Sequence, residues 1–384
     1  MIYVHVPFCR SFCIYCDFYS VAVPRCSGRL SGEQAEMFGR YAESIVSEAS
    51  GRATEILDAV NVHGSPDTLY IGGGTPSVLP FNVLERMVSG IGRALGRGTP
   101  YDYTEFTLEV NPDDIVEKGP DYLAGLRSIG VNRISMGIQS FDDGMLRWMN
   151  RRHGSAEAVR AFGMLRDAGF TNLSVDLIFG IDGMTMEMWE KTVDRAVALA
   201  PEHISAYQLS VEEGSALGRL ASEGKYKEAD ENQCRAQYDA LCSRLSAAGY
   251  EHYEISNFAL PGFRAVHNSA YWERLPYTGL GAGAHSACMR DGVLNVRRWA
   301  VEDVEGYIAG EPGGMERLSQ EDIDIERIML GLRTVDGVCG DILPADAVME
   351  LMAEGALCRS SSEGRLRIPE DRFFISDEII RRLT

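Results

Sequence analysis

Ile2-Tyr-Val-His-Val6 runs through Pro7-Phe8 into Cys9-Arg-Ser-Phe-Cys13-Ile-Tyr-Cys16-Asp17-Phe18. The β-branched run reads as a strand, and the proline that ends it delivers three cysteines into the loop beyond. Spaced Cys-x3-Cys-x2-Cys, three thiolates can hold three irons of a [4Fe–4S] cluster. The fourth iron, ordinarily bound by a fourth cysteine, is then open to another ligand. Zinc suits thiolates equally well. However, the chain offers no second Cys-x2-Cys and no His-x3-His to complete a tetrahedron.

Five later stretches repeat the strand reading: Thr68–Ile71, Glu105–Val110, Arg133–Met136, Asn172–Ile178 and His203–Leu209. Between them, apolar periodicity predicts helices over Gln34–Leu57, Phe81–Leu95, Pro120–Ser128, Ala156–Ala168 and Met186–Leu199. Strands alternating with helices imply an α/β fold with a parallel sheet and helical crossovers. Six units fit an open, partial (β/α)6 barrel as well as a doubly wound sheet. Polar residues gather at the carboxyl ends of the strands, where both architectures build their sites. The cysteines follow the first strand and Gly72-Gly73-Gly74-Thr75-Pro76 the second. Glu109 and Asn111-Pro112 close the third, Gln139-Ser140 the fourth, and Tyr207-Gln208 the sixth, while Asp176 lies within the fifth. The triple glycine lacks a P-loop's Gly-Lys-Ser/Thr ending and does not fit Gly-x-Gly-x-x-Gly. Beside a cluster, it suits main-chain carbonyls offered to an ammonium group. A carboxylate such as Asp176 in an apolar strand is costly unless paired or used.

The 384 residues suffice for two domains, and 45% apolar content is ample for a core. Nine cysteines, six of them scattered, are no disulfide framework; they point to a reducing, cytoplasmic setting. Cys26 fits no cluster spacing and is left unassigned. A net charge of −19 argues against nucleic acid as a partner. No basic, apolar leader or membrane-length apolar run is expected, although peripheral contact with a membrane stays open.

Taken together, Cys-x3-Cys-x2-Cys, Gly-Gly-Gly-Thr-Pro, Leu-Glu-Val-Asn-Pro, Gly-Ile-Gln-Ser-Phe and Asp-Leu-Ile-Phe-Gly resemble the radical S-adenosylmethionine (SAM) proteins. The closer similarity is to their coproporphyrinogen III oxidase-like branch, and it runs from Tyr3 to the C-terminus. The resemblance implies a partial (β/α)6 barrel with a [4Fe–4S] cluster on Cys9, Cys13 and Cys16. The amino and carboxylate groups of SAM would chelate the open iron. It further implies SAM contacts at Tyr3, Tyr15, Gly73, Gly74, Thr75, Glu109 (at the ribose), Gln139, Arg151 and Asp176. A flavodoxin- or ferredoxin-type donor would reduce the cluster, which could then cleave SAM to methionine and a 5′-deoxyadenosyl radical. The oxidase proper has a fourth cysteine where this chain has Phe18. Cys16-Asp17-Phe18 and His267-Asn268-Ser269-Ala270-Tyr271-Trp272 are instead similar to the HemW-type heme-chaperone subgroup. That likeness implies heme contacts at His267, Asn268, Tyr271 and Trp272, and a heme-acceptor protein as partner. Imidazole ligates iron, and Tyr and Trp offer flat faces to a macrocycle. Oxidation of a porphyrinogen is the alternative activity.

A second, α+β domain is expected from about residue 225, giving 1–224 and 225–384. Its helices are read at Ala229–Ala248, Ile323–Leu332 and Ala345–Ala353. A hairpin of Arg365–Ile368 with Phe373–Ile375, and a last helical turn at Glu378–Leu383, suggest a winged-helix-like unit. His5, His252 and His285 are expected to be structural.

Overall fold

The computed structural model describes residues 1–23, 30–99 and 101–384, so Cys26 lies outside the described residues. Six strands make the frame: β1 (Ile2–Val6), β2 (Thr68–Gly73), β3 (Glu105–Val110), β4 (Arg133–Gln139), β5 (Leu173–Phe179) and β6 (His203–Gln208). They lie side by side in chain order, every pair parallel. A doubly wound sheet reverses direction at a switch point, whereas a barrel does not. This order therefore decides for the partial barrel. Thr278–Leu280 adds a parallel strand outside β1, while Asn257–Ala259 and Glu251–His252 continue antiparallel beyond β6. The two outermost strands do not pair with each other, so the barrel stays open.

Each strand alternates between a face packed on the helices and a face turned inward. Outward, Val4, Leu69, Ile71, Phe106, Leu108, Ile134 and Val175 are fully buried against the helical layer. The inward face is polar. The pairings Tyr3–Tyr70, Tyr70–Thr107, Glu109–Ser135 and Gly137–Asp176 set rings, carboxylates and hydroxyls around one interior.

Three elements differ from expectation. The long first helix is two, Gly32–Gly51 and Ala53–Asn61. Ser31 and Gln34 form a capping box at its start, and the break falls at Arg52. The Arg52 guanidinium bridges Glu48 and Glu55 and donates to the Gly279 carbonyl at 2.8 Å. The helix expected from Pro120 begins instead at Pro112 and kinks at Gly119, whose φ of +72° only glycine adopts readily. The expected C-terminal hairpin does not form between its predicted halves. Arg365–Arg367 pairs with Val338–Cys339 and with the preceding Cys358–Arg359, while Glu370–Ile375 winds into a 3-10 helix. The resulting order (helix Gln320–Leu332, strand, short turn, helix Ala345–Ala353, two strands) has winged-helix topology. A separate three-stranded antiparallel sheet, His285–Trp299 with Gly314–Arg317, lies between these regions.

Candidate functional site

The cysteine loop is held at the carboxyl end of the barrel by backbone bonds. Phe8–Cys9 pairs in parallel with Val21–Ala22, and the Val21 and Val23 N–H groups donate to the Pro7 and Cys9 carbonyls at 2.6 and 2.7 Å. Ile14 donates to the Met149 carbonyl at 3.2 Å and accepts from the Leu217 N–H at 2.8 Å. Asn150 donates to the Phe12 carbonyl at 2.6 Å. Beneath the loop, buried His5 joins Tyr3 Oη (2.9 Å) to the Tyr19 carbonyl (3.0 Å), so this histidine ties the loop to β1.

A cavity of about 520 Å³ opens under the loop. Of the predicted residues, Cys9, Cys13, Cys16, Tyr15, Gly73, Gly74, Thr75, Glu109, Gln139, Arg151, Asp176 and Asn268 border it. Tyr3 stands behind its wall, bonded to His5. Cys9 Sγ lies 3.3 Å from Thr75 Oγ1, and Cys13 Sγ accepts from Arg151 Nη1 at 3.3 Å. Burial raises the Cys9 thiol and takes Cys16 up to about 11, so both are protonated until a metal displaces the proton.

The glycines answer to packing. A Cβ on Gly73, at φ +107°, would stand 2.5 Å from the His5 ring; one on Gly74 would stand 2.9 Å from the Val6 carbonyl oxygen. Side chains are therefore missing where β2's end presses on β1 and the cysteine loop, which the reading from composition did not foresee.

Arg151 is partly buried. Its Nη2 donates to Asn111 Oδ1 at 2.7 Å and to the Gly137 carbonyl at 2.5 Å. Asn111 in turn donates to Thr75 Oγ1 at 3.3 Å. A continuous polar chain thus runs Thr75–Asn111–Arg151–Cys13 beside the thiols. Deeper in the barrel, Glu109 accepts from Tyr70 Oη (2.7 Å) and from the Gly73 N–H (3.0 Å). Burial pushes its carboxyl up to about 7, and the nearby Asp176 charge adds to the rise. Asp176, also raised by burial, accepts from Ser135 Oγ at 3.1 Å. Asn111, Tyr70 and Ser135 were not picked as site residues. The signal was present, because each shares the inward parity of a chosen neighbour or directly follows one.

Among the described residues, no group of three or more His, Cys, Asp or Glu side chains is arranged to hold a metal ion. The family model for the radical SAM superfamily matches residues 3–196. The chain belongs to that superfamily.

Within the radical SAM proteins, the chain is similar to the heme chaperone HemW of Bacillus subtilis, with 33% identity over 88% of this chain and 84% of the relative. The heme chaperone HemW of Lactococcus lactis is also 33% identical, over 88% of this chain and 82% of the relative. Among solved structures, coproporphyrinogen III oxidase (HemN) from Escherichia coli superposes with a TM-score of 0.76. It covers 99% of this chain and 89% of the oxidase at 19% identity, a likeness of fold. Membership in the radical SAM superfamily implies SAM and an iron–sulfur cluster. No helix among the described residues is long and apolar enough to cross a membrane.

The segment His267–Trp272 forms most of a short helix, Val266–Trp272, seated under the barrel. Glu105 accepts from the Val266 and His267 N–H groups at 2.8 and 2.9 Å. The His267 ring is 1% exposed, and both its nitrogens are engaged: Nδ1 with Thr68 Oγ1 (2.8 Å), Nε2 with Tyr271 Oη (2.9 Å). Burial lowers it to about 3. Tyr271 packs edge-on against Tyr277, Trp272 is partly buried, and Asn268 is the member of the segment that reaches the cavity. His252 stacks on Phe258 and exposed His285 stacks on Trp299, and neither borders the cavity.

Proposed function

We propose that the chain is a heme chaperone of the HemW type, carrying a [4Fe–4S] cluster on Cys9, Cys13 and Cys16 and passing heme to an acceptor protein. The observation that carries this reading is the similarity to curated heme chaperones over 88% of the chain. Phe18 adds to it: the side chain at the oxidase's fourth-cysteine position is aromatic, 66% exposed, and borders the cavity.

In this reading, residues 1–224 carry the cofactor site and residues 225–384 complete the sheet and cap it. Cluster and SAM, when bound, supply one-electron chemistry at a sulfonium. The chain's own residues bind and orient. Arg151 donates to the Cys13 sulfur, offsetting thiolate charge, and the Thr75 hydroxyl is placed to donate to Cys9 once that thiol is deprotonated. Glu109 and Asp176 offer acceptors for hydroxyl groups, a role suited to a ribose diol. Tyr15, Gln139, Gly73 and Gly74 line the path between them, with Tyr3 supporting from behind. A flavodoxin- or ferredoxin-type protein is the proposed electron donor. Heme is proposed to meet the segment 267–272 from the cavity side, through Asn268, with Tyr271 and Trp272 behind it. Iron ligation by His267 requires its bonds to Thr68 and Tyr271 to open.

Anaerobic reconstitution followed by hemin titration tests the proposal. About four irons per chain and a saturable, stoichiometric heme spectrum are expected, with the spectrum weakened in Asn268→Ala. One tightly held zinc, or no heme uptake, refutes it. Conversion of coproporphyrinogen III with SAM under reducing conditions would favour the oxidase.

A further inference from the structure

We infer that Arg133, at the floor of the same cavity, anchors a carboxylate of the ligand that enters the barrel, namely a propionate arm of heme. This rests on the heme-chaperone reading and extends it to a residue with no role so far. Arg133 opens β4 on its inward parity, is 1% exposed, and borders the cavity together with Asn268. Its Nε is buried without a hydrogen-bond partner, and among the described residues no carboxylate stands within ion-pair distance of its guanidinium.

A buried arginine cannot shed its charge, so an unpaired one is strongly unfavourable unless an anion meets it. The Arg133 charge acts to lower both Glu109 and Asp176, but neither carboxylate hydrogen-bonds to its guanidinium. Glu105 caps the helix at Val266–Trp272, Glu109 accepts from Tyr70 and Gly73, and Asp176 accepts from Ser135. The charge is nonetheless felt at the floor, where it helps burial to keep His203 and His267 neutral. A guanidinium presents a planar fork, and its matching partner is a carboxylate held by two parallel bonds.

Distance separates this anchor from the cysteine end. The strand rises about 3.3 Å per residue, so the Arg133 Cα lies about 13 Å below Gly137, whose carbonyl holds Arg151 beside Cys13. A carboxylate bound at the thiols is not the one Arg133 would meet. Heme supplies what the floor and walls ask for: flexible carboxylate arms on an apolar plane, beside Tyr70, Ile178 and Tyr207.

The test titrates cluster-reconstituted protein with heme and with heme dimethyl ester, whose propionates are uncharged, in wild type and Arg133→Gln. Wild type is expected to bind heme at least about tenfold more tightly than the ester. Arg133→Gln should bind both at the ester's wild-type level and hold SAM within about twofold of wild type. If the variant fails to fold, the comparison of the two hemes on wild type still decides. Equal affinity of wild type for heme and ester, unchanged heme affinity in the variant, or parallel loss of SAM and heme overturns the inference alone. A wild type that binds neither heme overturns the chaperone reading as well.

Discussion

Replacing Glu109 by glutamine should stabilise the SAM-free protein at alkaline pH while weakening SAM binding. The carboxyl sits inside the barrel between Tyr70 Oη and the Gly73 N–H, raised by burial from 4.5 to about 7. That rise costs the ionised form roughly 3 kcal/mol, and access of solvent through the cavity mouth reduces it to about 2 kcal/mol. Glutamine keeps the shape. Its carbonyl can accept from Gly73 while its NH₂ donates to Tyr70, whose hydroxyl can accept as readily as donate. The sign follows from proton linkage. Between 4.5 and about 7 the folded protein holds a proton that the unfolded chain has released, so wild-type stability falls as pH rises through that window. The gain from Glu109→Gln is therefore expected to be about 2 kcal/mol at pH 8 and close to zero near pH 4.5. Urea unfolding of both proteins at the two pH values measures it. A gain of equal size at both, or a loss at pH 8, would refute the reasoning. SAM affinity, followed by equilibrium binding to the reconstituted protein, should fall about tenfold or more as a charged acceptor becomes neutral.

Four other outcomes are expected. Gly73→Ala, forced against the His5 ring at positive φ, should cost about 2 kcal/mol or more in unfolding free energy and lower the iron retained after reconstitution. Arg151→Met removes the donor to Cys13 and leaves Asn111 and the Gly137 carbonyl without it, so iron content per chain should drop while the circular dichroism spectrum stays native. Burial holds four histidines neutral, taking His153 and His267 down to about 3, His252 to about 4 and His203 well below the usual imidazole range. Their depressed values mean that stability is complete above the unfolded value of 6.5 and lost as pH falls below it. Each should cost up to about 2 kcal/mol at pH 5, partly offset by Glu109 and Glu254, and denaturation curves between pH 7 and 5 will register the net loss. His267→Ala leaves Thr68 and Tyr271 unpaired in a buried site, so it should destabilise by about 2–4 kcal/mol with or without heme, whereas Asn268→Ala should leave the melt unchanged.

The sequence by itself determined the strands, the direction of the sheet and which cysteines and polar residues gather at its carboxyl end. Those rest on local signals: β-branched runs, breaks after them, and thiols too closely spaced for an unrelated core. Tyr70, Ser135 and Arg133 lie on strands other than those of Glu109 and Asp176, and cross-strand register, which the sequence does not give, turns them to the same interior. Other features needed the tertiary structure. Strand order alone separates a barrel from a doubly wound sheet, and helical periodicity is the same in both. The break at Arg52 depends on a carbonyl at Gly279, and the pairing of Arg365–Arg367 depends on Val338, partners far away in the chain. The same holds for the histidine in His267-Asn268-Ser269-Ala270-Tyr271-Trp272. As a string it offers an imidazole to iron; in the fold Thr68 and Tyr271 take both nitrogens, and the asparagine beside it reaches the cavity. That Arg133 Nε has no hydrogen-bond partner among the described residues is likewise invisible in sequence, because it is set by which donors the surrounding carboxylates have already engaged.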